Sequence, residues 1–287
     1  MIQSITKKRA KKIKASYIVN STFIYLGIII ISLIFLFPVL WLVLASFSDS
    51  GSMYSFNGFF PKKYSLNSFK TLFTDVQLYN YPRWFLNTLL ISTVSSIVGT
   101  FLVILTAYTI SRFRFPSRKK LMKGTLVLGM FPSFMSMIAV YLLMTQFNLV
   151  DKPLGLALIY AAGAPMGYLT QKGFFDTISG SIEDAARIDG ATNFKVFIKI
   201  ILPMSKPILV YTLLTQFAWP WSDFILPKLL LKHKKYYTVA VGLMTLGDDE
   251  FARFAAGSIF IAVPIIILYF SLAKFLIKGI ASGAVKE

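Results

Sequence analysis

No cysteine occurs among the 287 residues. That excludes a disulfide framework, a thiolate metal site and a cysteine nucleophile. The single histidine, His233, sits in a lysine-rich segment, where a solvated surface role is expected rather than metal ligation. Charge is scarce too: 15% of residues are Asp, Glu, Lys or Arg, against about 25% in a soluble domain. Acids are the rarer sign, 12 against 30 bases. Neither a Gly-x-x-x-x-Gly-Lys-Ser/Thr phosphate loop nor a Gly-x-Gly-x-x-Gly turn is present, so no nucleotide site is recognisable on this chain. Nor do Asp, Glu or His form the intramembrane chain that a proton relay needs. Asp223 is the sole acid inside an apolar run, near its outer end, where a solvated or Trp-belt position is expected.

What is plentiful is apolar sequence, arranged in six runs: Ala15 to Ser48, Trp84 to Ser111, Gly124 to Val150, Pro153 to Gln171, Pro207 to Pro227 and Phe254 to Ala273. A bilayer crossing needs roughly 20 mostly apolar residues. Backbone groups in hydrocarbon must be satisfied within the segment, so each run is expected to be helical. Barrel strands would alternate over about 10 residues, which these runs do not. The first run far exceeds the 7–15 or so apolar residues of a signal peptide and reads as an uncleaved anchor. The expected organisation is a basic tail (1–14), an anchor helix (15–48), a core of five further spans (84–280) and a short tail (281–287). A hydrophilic loop (172–206) falls inside the core.

A net charge of +18 would suggest nucleic acid in a soluble protein, but here the bases cluster between apolar runs and imply lipid instead. Six precede the first run (Lys7, Lys8, Arg9, Lys11, Lys12, Lys14), and six follow the second (Arg112, Arg114, Arg118, Lys119, Lys120, Lys123). With six spans, one side carries 20 bases and the other 10, which predicts that both termini are cytoplasmic. Pro38, Pro132, Pro165, Pro220 and Pro264 fall inside five runs and are expected to kink them. Gly155, Gly163 and Gly167 in the fourth are expected to let neighbouring helices approach.

The loop after the fourth run is amphipathic and punctuated. Ser181-Ile182-Glu183-Asp184 has the form of a capping box, with Ser181 as N-cap. A short helix follows, and Gly190 is placed to end it in a left-handed conformation. Thr192 is expected to cap a second helix with an apolar face of Phe194, Phe197, Ile198 and Ile201, stopped by Leu202-Pro203.

This loop resembles the EAA motif of ABC importer permeases. Asp184-Ala185-Ala186, three residues, Gly190, nine residues and Ile200-Ile201-Leu202-Pro203 match its spacing. Asp184 replaces the usual Glu, and Glu183 precedes it, so either acid is a candidate for the family's ionic contact. The resemblance implies an all-α membrane protein with six transmembrane helices and the type I importer permease fold. Glu183, Asp184, Ala185, Ala186, Asp189, Gly190, Ala191, Leu202 and Pro203 would then form the coupling loop that docks into a separate cytoplasmic ATPase dimer. That partner would bind ATP and Mg; this chain would hold no cofactor and would not itself be an enzyme.

Two further segments resemble a narrower group. Ile280 to Lys286 is similar to the tail of maltose and maltodextrin permeases, which implies that Ser282, Gly283, Ala284, Val285 and Lys286 contact the ATPase. Ala218 to Phe224 looks like the aromatic fifth span of carbohydrate permeases. The implied partners are a homologous second permease subunit and an extracytoplasmic sugar-binding protein, whose sugar site the loop from Lys228 to Arg253 would probe. The implied location is a bacterial plasma membrane. Sugars are bound by hydrogen bonds and aromatic faces, so Asn87, Tyr211, Thr215, Gln216 and Trp219 are candidate pathway residues, Gln216 and Trp219 sharing a helix face. Maltodextrin is the expected cargo, with galactan-derived or other plant oligosaccharides next. The competing class is a secondary transporter or channel with no ATPase.

Overall fold

The structure is a computed structural model that describes residues 2–49, 52, 59–163 and 167–284, with side chains apart from those of 2–20, 133 and 277–284. The secondary structure among the described residues is helical, apart from one isolated antiparallel bridge between Ser48 and Tyr64. Pro165, Val285 and Lys286 lie outside the described residues, as do the side chains of Ser282, Gly283 and Ala284.

The chain divides into two compact units. The first comprises 1–69 and 248–256. Its long helix α1 (Ile2–Ser46) runs through both the basic tail and the anchor, and Phe23 to Leu40 expose large apolar side chains along it. Phe37 stacks on Phe59 and Trp41 meets Phe251 at a tilt of 39°, with ring centroids 5.1 and 5.4 Å apart.

The second unit comprises 70–247 and 257–287. Helix α2 (Asn67–Thr74) leads to the central helix α3 (Tyr81–Arg112), followed by α4 (Arg118–Gly129), α5 (Ser133–Gln146), α6 (Pro153–Gly163) and α7 (Tyr168–Thr177). Next come α8 (Gly180–Ile188), α9 (Asn193–Val196), a π turn (Phe197–Ile201) and α10 (Leu202–Met204). Helices α11 (Lys206–Ser222), α12 (Ile225–Leu230), α13 (Val239–Leu243) and α14 (Phe251–Ala284) complete the order.

Helix α3 explains the packing. One stripe of its buried face is mostly small or hydroxylated, with Thr88, Ser92, Ser95, Gly99, Val103 and Ala107 at three- and four-residue steps, flanked by buried Trp84, Ile91, Ile104 and Tyr108. Its opposite face exposes Leu86, Leu90, Val94, Ile97 and Phe101. Small residues inside and large apolar ones outside are the arrangement for lipid as solvent. The stripe lets α6, α7 and α11 approach the α3 backbone closely.

By length and composition, three helical stretches among the described residues can cross a bilayer alone: 21–46, 81–112 and 248–276. Two bent pairs, α4 with α5 and 193–204 with α11, raise that to five. The expected fourth span divides into α6 and α7, with residues 164–166 between them outside the described set. The expected fifth span ends early, at Ser222, because Asp223 turns extended and its carboxylate accepts the Leu226 amide at 3.4 Å, starting α12. Of the prolines, Pro38, Pro220 and Pro264 lie inside continuous helices, while Pro132 separates α4 from α5. Of the span-four glycines, a Cβ at Gly155 would fall 2.4 Å from the Leu149 carbonyl oxygen, whereas Gly163 and Gly167 face open space.

The charged loop after α12 is not simply solvated. Leu230, Leu231 and Tyr237 to Leu243 are buried. Trp84 Nε1 donates to the Lys234 carbonyl at 2.8 Å, and the Asn87 amide donates to the carbonyls of Lys235 and Tyr237 at 2.9 and 3.0 Å. His233 has a partner as well: its ring meets Asp151, whose carboxylate also accepts the backbone N–H groups of Lys232 and His233 at 2.7 and 3.0 Å. Burial alone would raise the Asp151 carboxyl, but these bonds outweigh it and hold the group below the usual aspartate value.

Gly242 permits this seating. A Cβ there would stand 2.1 Å from the Trp84 ring. A Gly242→Ala variant is expected to lever α13 off α3, at the cost of about 1–3 kcal/mol typical of overpacking. Faster tryptic cleavage at Lys232, Lys234 and Lys235 in membrane vesicles would report it; unchanged cleavage would show that the contact is not tight.

Candidate functional site

The hairpin between α7 and α11 is built by local rules. Ser179, not Ser181, is the N-cap of α8; its hydroxyl accepts the Ser181 amide at 3.4 Å. The expected capping box does not form: the N-cap lies two residues earlier, Gly180 already adopts helical geometry, and Ile182 takes the third helical position. Gly190 has φ of +80°. The Gly190 amide donates to the Arg187 carbonyl at 3.0 Å and the Ala191 amide to that of Ala186 at 2.9 Å, the paired bonds of a Schellman end. Ala186 and Ala191, both half-buried, pack on the core beneath. Thr192 caps α9 as expected, accepting the Lys195 amide at 3.3 Å.

The second arm departs from the expected helix. Pro203 has no N–H for the Lys199 carbonyl, and its ring crowds that oxygen. The preceding turn widens: the Leu202 amide reaches back to Phe197, five residues away, and the helix ends only at Met204. The extra residue rotates the apolar face. Val196, Phe197 and Ile201 are buried against Ile104, Tyr108, Tyr168 and Phe175. Phe194 and Ile198, expected on that face, are instead 73% and 41% exposed. A bend of 78° then leads into α11.

The two adjacent acids separate completely. Glu183 is 1% exposed and faces inward. Its carboxylate accepts Arg112 Nε at 2.5 Å, Arg187 Nη2 at 3.3 Å and the Tyr108 hydroxyl at 3.5 Å. Arg112 also donates to the Ile178 carbonyl at 2.8 Å, closing the end of α7. Asp184 faces outward, and among the described residues its carboxylate meets only the Arg187 guanidinium, at 2.9 Å. Arg187 bridges the arms through Asn193 at 3.2 Å. Nearby, Asp176 accepts Ser111 at 2.6 Å and Lys172 at 2.5 Å. Burial would raise its carboxyl, yet Lys172 and Ser111 keep it below the usual range.

The outward face of the hairpin therefore presents Asp184, Ala185, Ile188, Asp189, Gly190 and Phe194, with Ile188 86% exposed. Ile188 was not among the expected contact residues, and Phe194 was expected on the buried face; the signal for both was their place either side of the Gly190 turn. Leu202 is half-buried on the core side, and Pro203 is exposed.

A second feature is a cavity of about 720 Å³ walled by α5, α6, α11 and α12. Thr215, Gln216 and Trp219 line it, so three of the five candidate pathway residues meet there. Tyr211 is exposed on α11 outside it, and Asn87 is committed to the loop described above. Asp223 also lines it, half-buried rather than solvated, its carboxylate accepting the Tyr160 hydroxyl at 2.8 Å. Nothing in the apolar fourth run around Tyr160 signalled that pairing.

Comparison with known proteins follows the same lines. The profile described as "Binding-protein-dependent transport system inner membrane component" matches residues 99–282. The chain is 34% identical to the maltodextrin transport system permease protein MalD of Streptococcus pneumoniae, over 91% of this chain and 94% of that protein. It is 33% identical to the galactooligosaccharides transport system permease protein GanQ of Bacillus subtilis, over 92% and 95%. Its fold matches a chain in the crystal structure of a bacterial ABC transporter involved in import of the acidic polysaccharide alginate, with TM-score 0.71, 23% identity and coverage of 90% and 95%. The chain is a multi-pass membrane protein with this importer permease fold, and it belongs to the family of binding-protein-dependent transport system inner membrane components.

Proposed function

We propose that this chain is a translocation subunit of an ATP-driven oligosaccharide importer in the bacterial plasma membrane. The observation that carries this reading is the hairpin. The inner face of both arms is fixed to the core, by Glu183 on the first and by Val196, Phe197 and Ile201 on the second, while Asp184, Ile188 and Phe194 face outward beside a rigid glycine turn. Such a surface can receive a push and pass it to α3 and α11. The source of the stroke is a separate ATPase dimer that binds ATP and Mg. Asp184 makes the ionic contact, because Glu183 is spent internally. The EAA assignment of this hairpin, six spans and cytoplasmic termini belong to the same reading, supported by the 20-to-10 distribution of bases. So do the domain boundaries at 14, 48, 84 and 280, and an ATPase contact by the tail at 282–286.

The complete importer then comprises this chain, a homologous second permease, the ATPase dimer and an extracytoplasmic sugar-binding protein. Maltodextrin is the leading cargo, since two relatives at 34% identity are named for it; a galactooligosaccharide is the alternative, from the relative at 33%. Purification from membranes of the native host tests the proposal. An ATPase is expected to co-purify, and vesicles are expected to accumulate labelled maltotriose or galactotriose only with ATP inside the compartment that holds the hairpin. Accumulation driven by an ion gradient without any ATPase would favour a secondary transporter instead.

A further inference from the structure

The cavity between α5, α6, α11 and α12 carries a further reading, which rests on the importer function proposed above. Its volume of about 720 Å³ lies within the roughly 300–1,000 Å³ of small-molecule sites. Its polar groups converge from one face of α11, where Gln216, Trp219 and Asp223 follow one another at three- and four-residue steps. Trp219 is 61% exposed, which leaves its ring open to a ligand. The Gln216 amide makes no hydrogen bond among the described residues. Asp223 is fixed by the Tyr160 hydroxyl and the Leu226 amide, one on each oxygen. A carboxylate has about four acceptor sites, so each oxygen can still accept a hydroxyl.

The charge pattern gives the class of ligand. Among the described residues lining the cavity there is one acid, Asp223, and no lysine, arginine or histidine. An anionic sugar would bring its carboxylate to Asp223 with no base to pair it, and an unpaired charge in a partly apolar site is costly. A neutral sugar would find an aromatic face, an amide and a hydroxyl acceptor. We infer that this cavity is a sugar subsite on this chain, selective for neutral over acidic units. Trp219 covers the ring, Gln216 and the Asp223–Tyr160 pair take hydroxyls, and Asp223 excludes uronates.

The natural absence of cysteine makes the test clean. Ser222→Cys places one thiol on this chain at the cavity wall, and its modification by a small thiosulfonate is read by mass in the assembled complex. Maltotriose near ten times its dissociation constant should slow labelling by about tenfold, while trigalacturonate at the same concentration leaves the rate unchanged. Adding Trp219→Ala should remove the protection. Adding Asp223→Asn should let trigalacturonate protect as well, a change of selectivity that a merely structural role for Asp223 would not produce. No protection by maltotriose, equal protection by both sugars in the Ser222→Cys parent, or unchanged selectivity with Asp223→Asn overturns the inference. The unaltered complex is assayed in parallel for ATP-driven uptake: its failure counts against the importer function, and intact uptake without protection counts against the subsite alone.

Discussion

A Gly190→Val variant is expected to lose at least about tenfold of its uptake while the partner ATPase continues to hydrolyse ATP. The cause is local. Gly190 holds φ of +80°, and nothing lies within 4 Å of where its Cβ would stand. A Cβ therefore meets no neighbour, and the expected cost is that of the backbone, at about 1–3 kcal/mol for a branched residue held left-handed. Relief comes by opening the Schellman end, which releases the Ala191–Ala186 bond and swings α8 away from α9. Since about 1.4 kcal/mol is a factor of ten in an equilibrium, loss of the rigid turn should uncouple the stroke. Asparagine, which tolerates the left-handed region, should retain most uptake, and alanine should fall between. An order of Gly, Asn, Ala, Val in uptake, with ATP hydrolysis preserved, would support the turn as the transmitting element. Equal uptake in all four would remove it from the mechanism.

The second large effect concerns Glu183. Glu183→Gln leaves Arg112 and Arg187 converging on a neutral amide, with Arg112 only 15% exposed. Removing one partner of a buried ion pair typically costs about 3–5 kcal/mol, because the other charge stays buried and unpaired. The complex is expected to lose thermal stability and yield. The double variant Arg112→Met with Glu183→Met should recover much of it, since apolar pairs of similar size often match a buried ion pair. A double-mutant cycle on melting temperature measures the coupling. By contrast, Asp184→Ala removes only an exposed contact and should leave melting unchanged while weakening retention of the ATPase. If Asp184→Ala melts early and Glu183→Gln does not, the inward and outward assignments are reversed.

The sequence made the architecture legible where one physical rule dominates. Long charge-free runs specify helices in lipid, and the Gly190 turn with its Thr192 cap follows from backbone sterics and orphan amides. What stayed hidden depends on neighbours distant in sequence. Nothing near Glu183 names Arg112, 71 residues away, as its partner. The identity of the buried face of the second arm turned on the π turn ahead of Pro203, which a regular 3.6-residue period cannot anticipate. Asn87 looked like a pathway group because it is polar inside a span, yet loop carbonyls about 150 positions along the chain absorb both its donor bonds. Asp223 looked solvated because it lies near a helix end; Tyr160 on α6 draws it into the cavity wall.

The most direct measurement places a single cysteine at Ile188, the most exposed apolar residue of the hairpin, in this naturally cysteine-free chain. The account predicts that a membrane-impermeant maleimide reaches Ile188→Cys only from the cytoplasmic face. It also predicts that a short bifunctional reagent joins this residue to the ATPase, in a yield that changes when ATP and vanadate trap the closed state. Labelling from the external face alone, or a fully accessible thiol that never joins an ATPase, would contradict it.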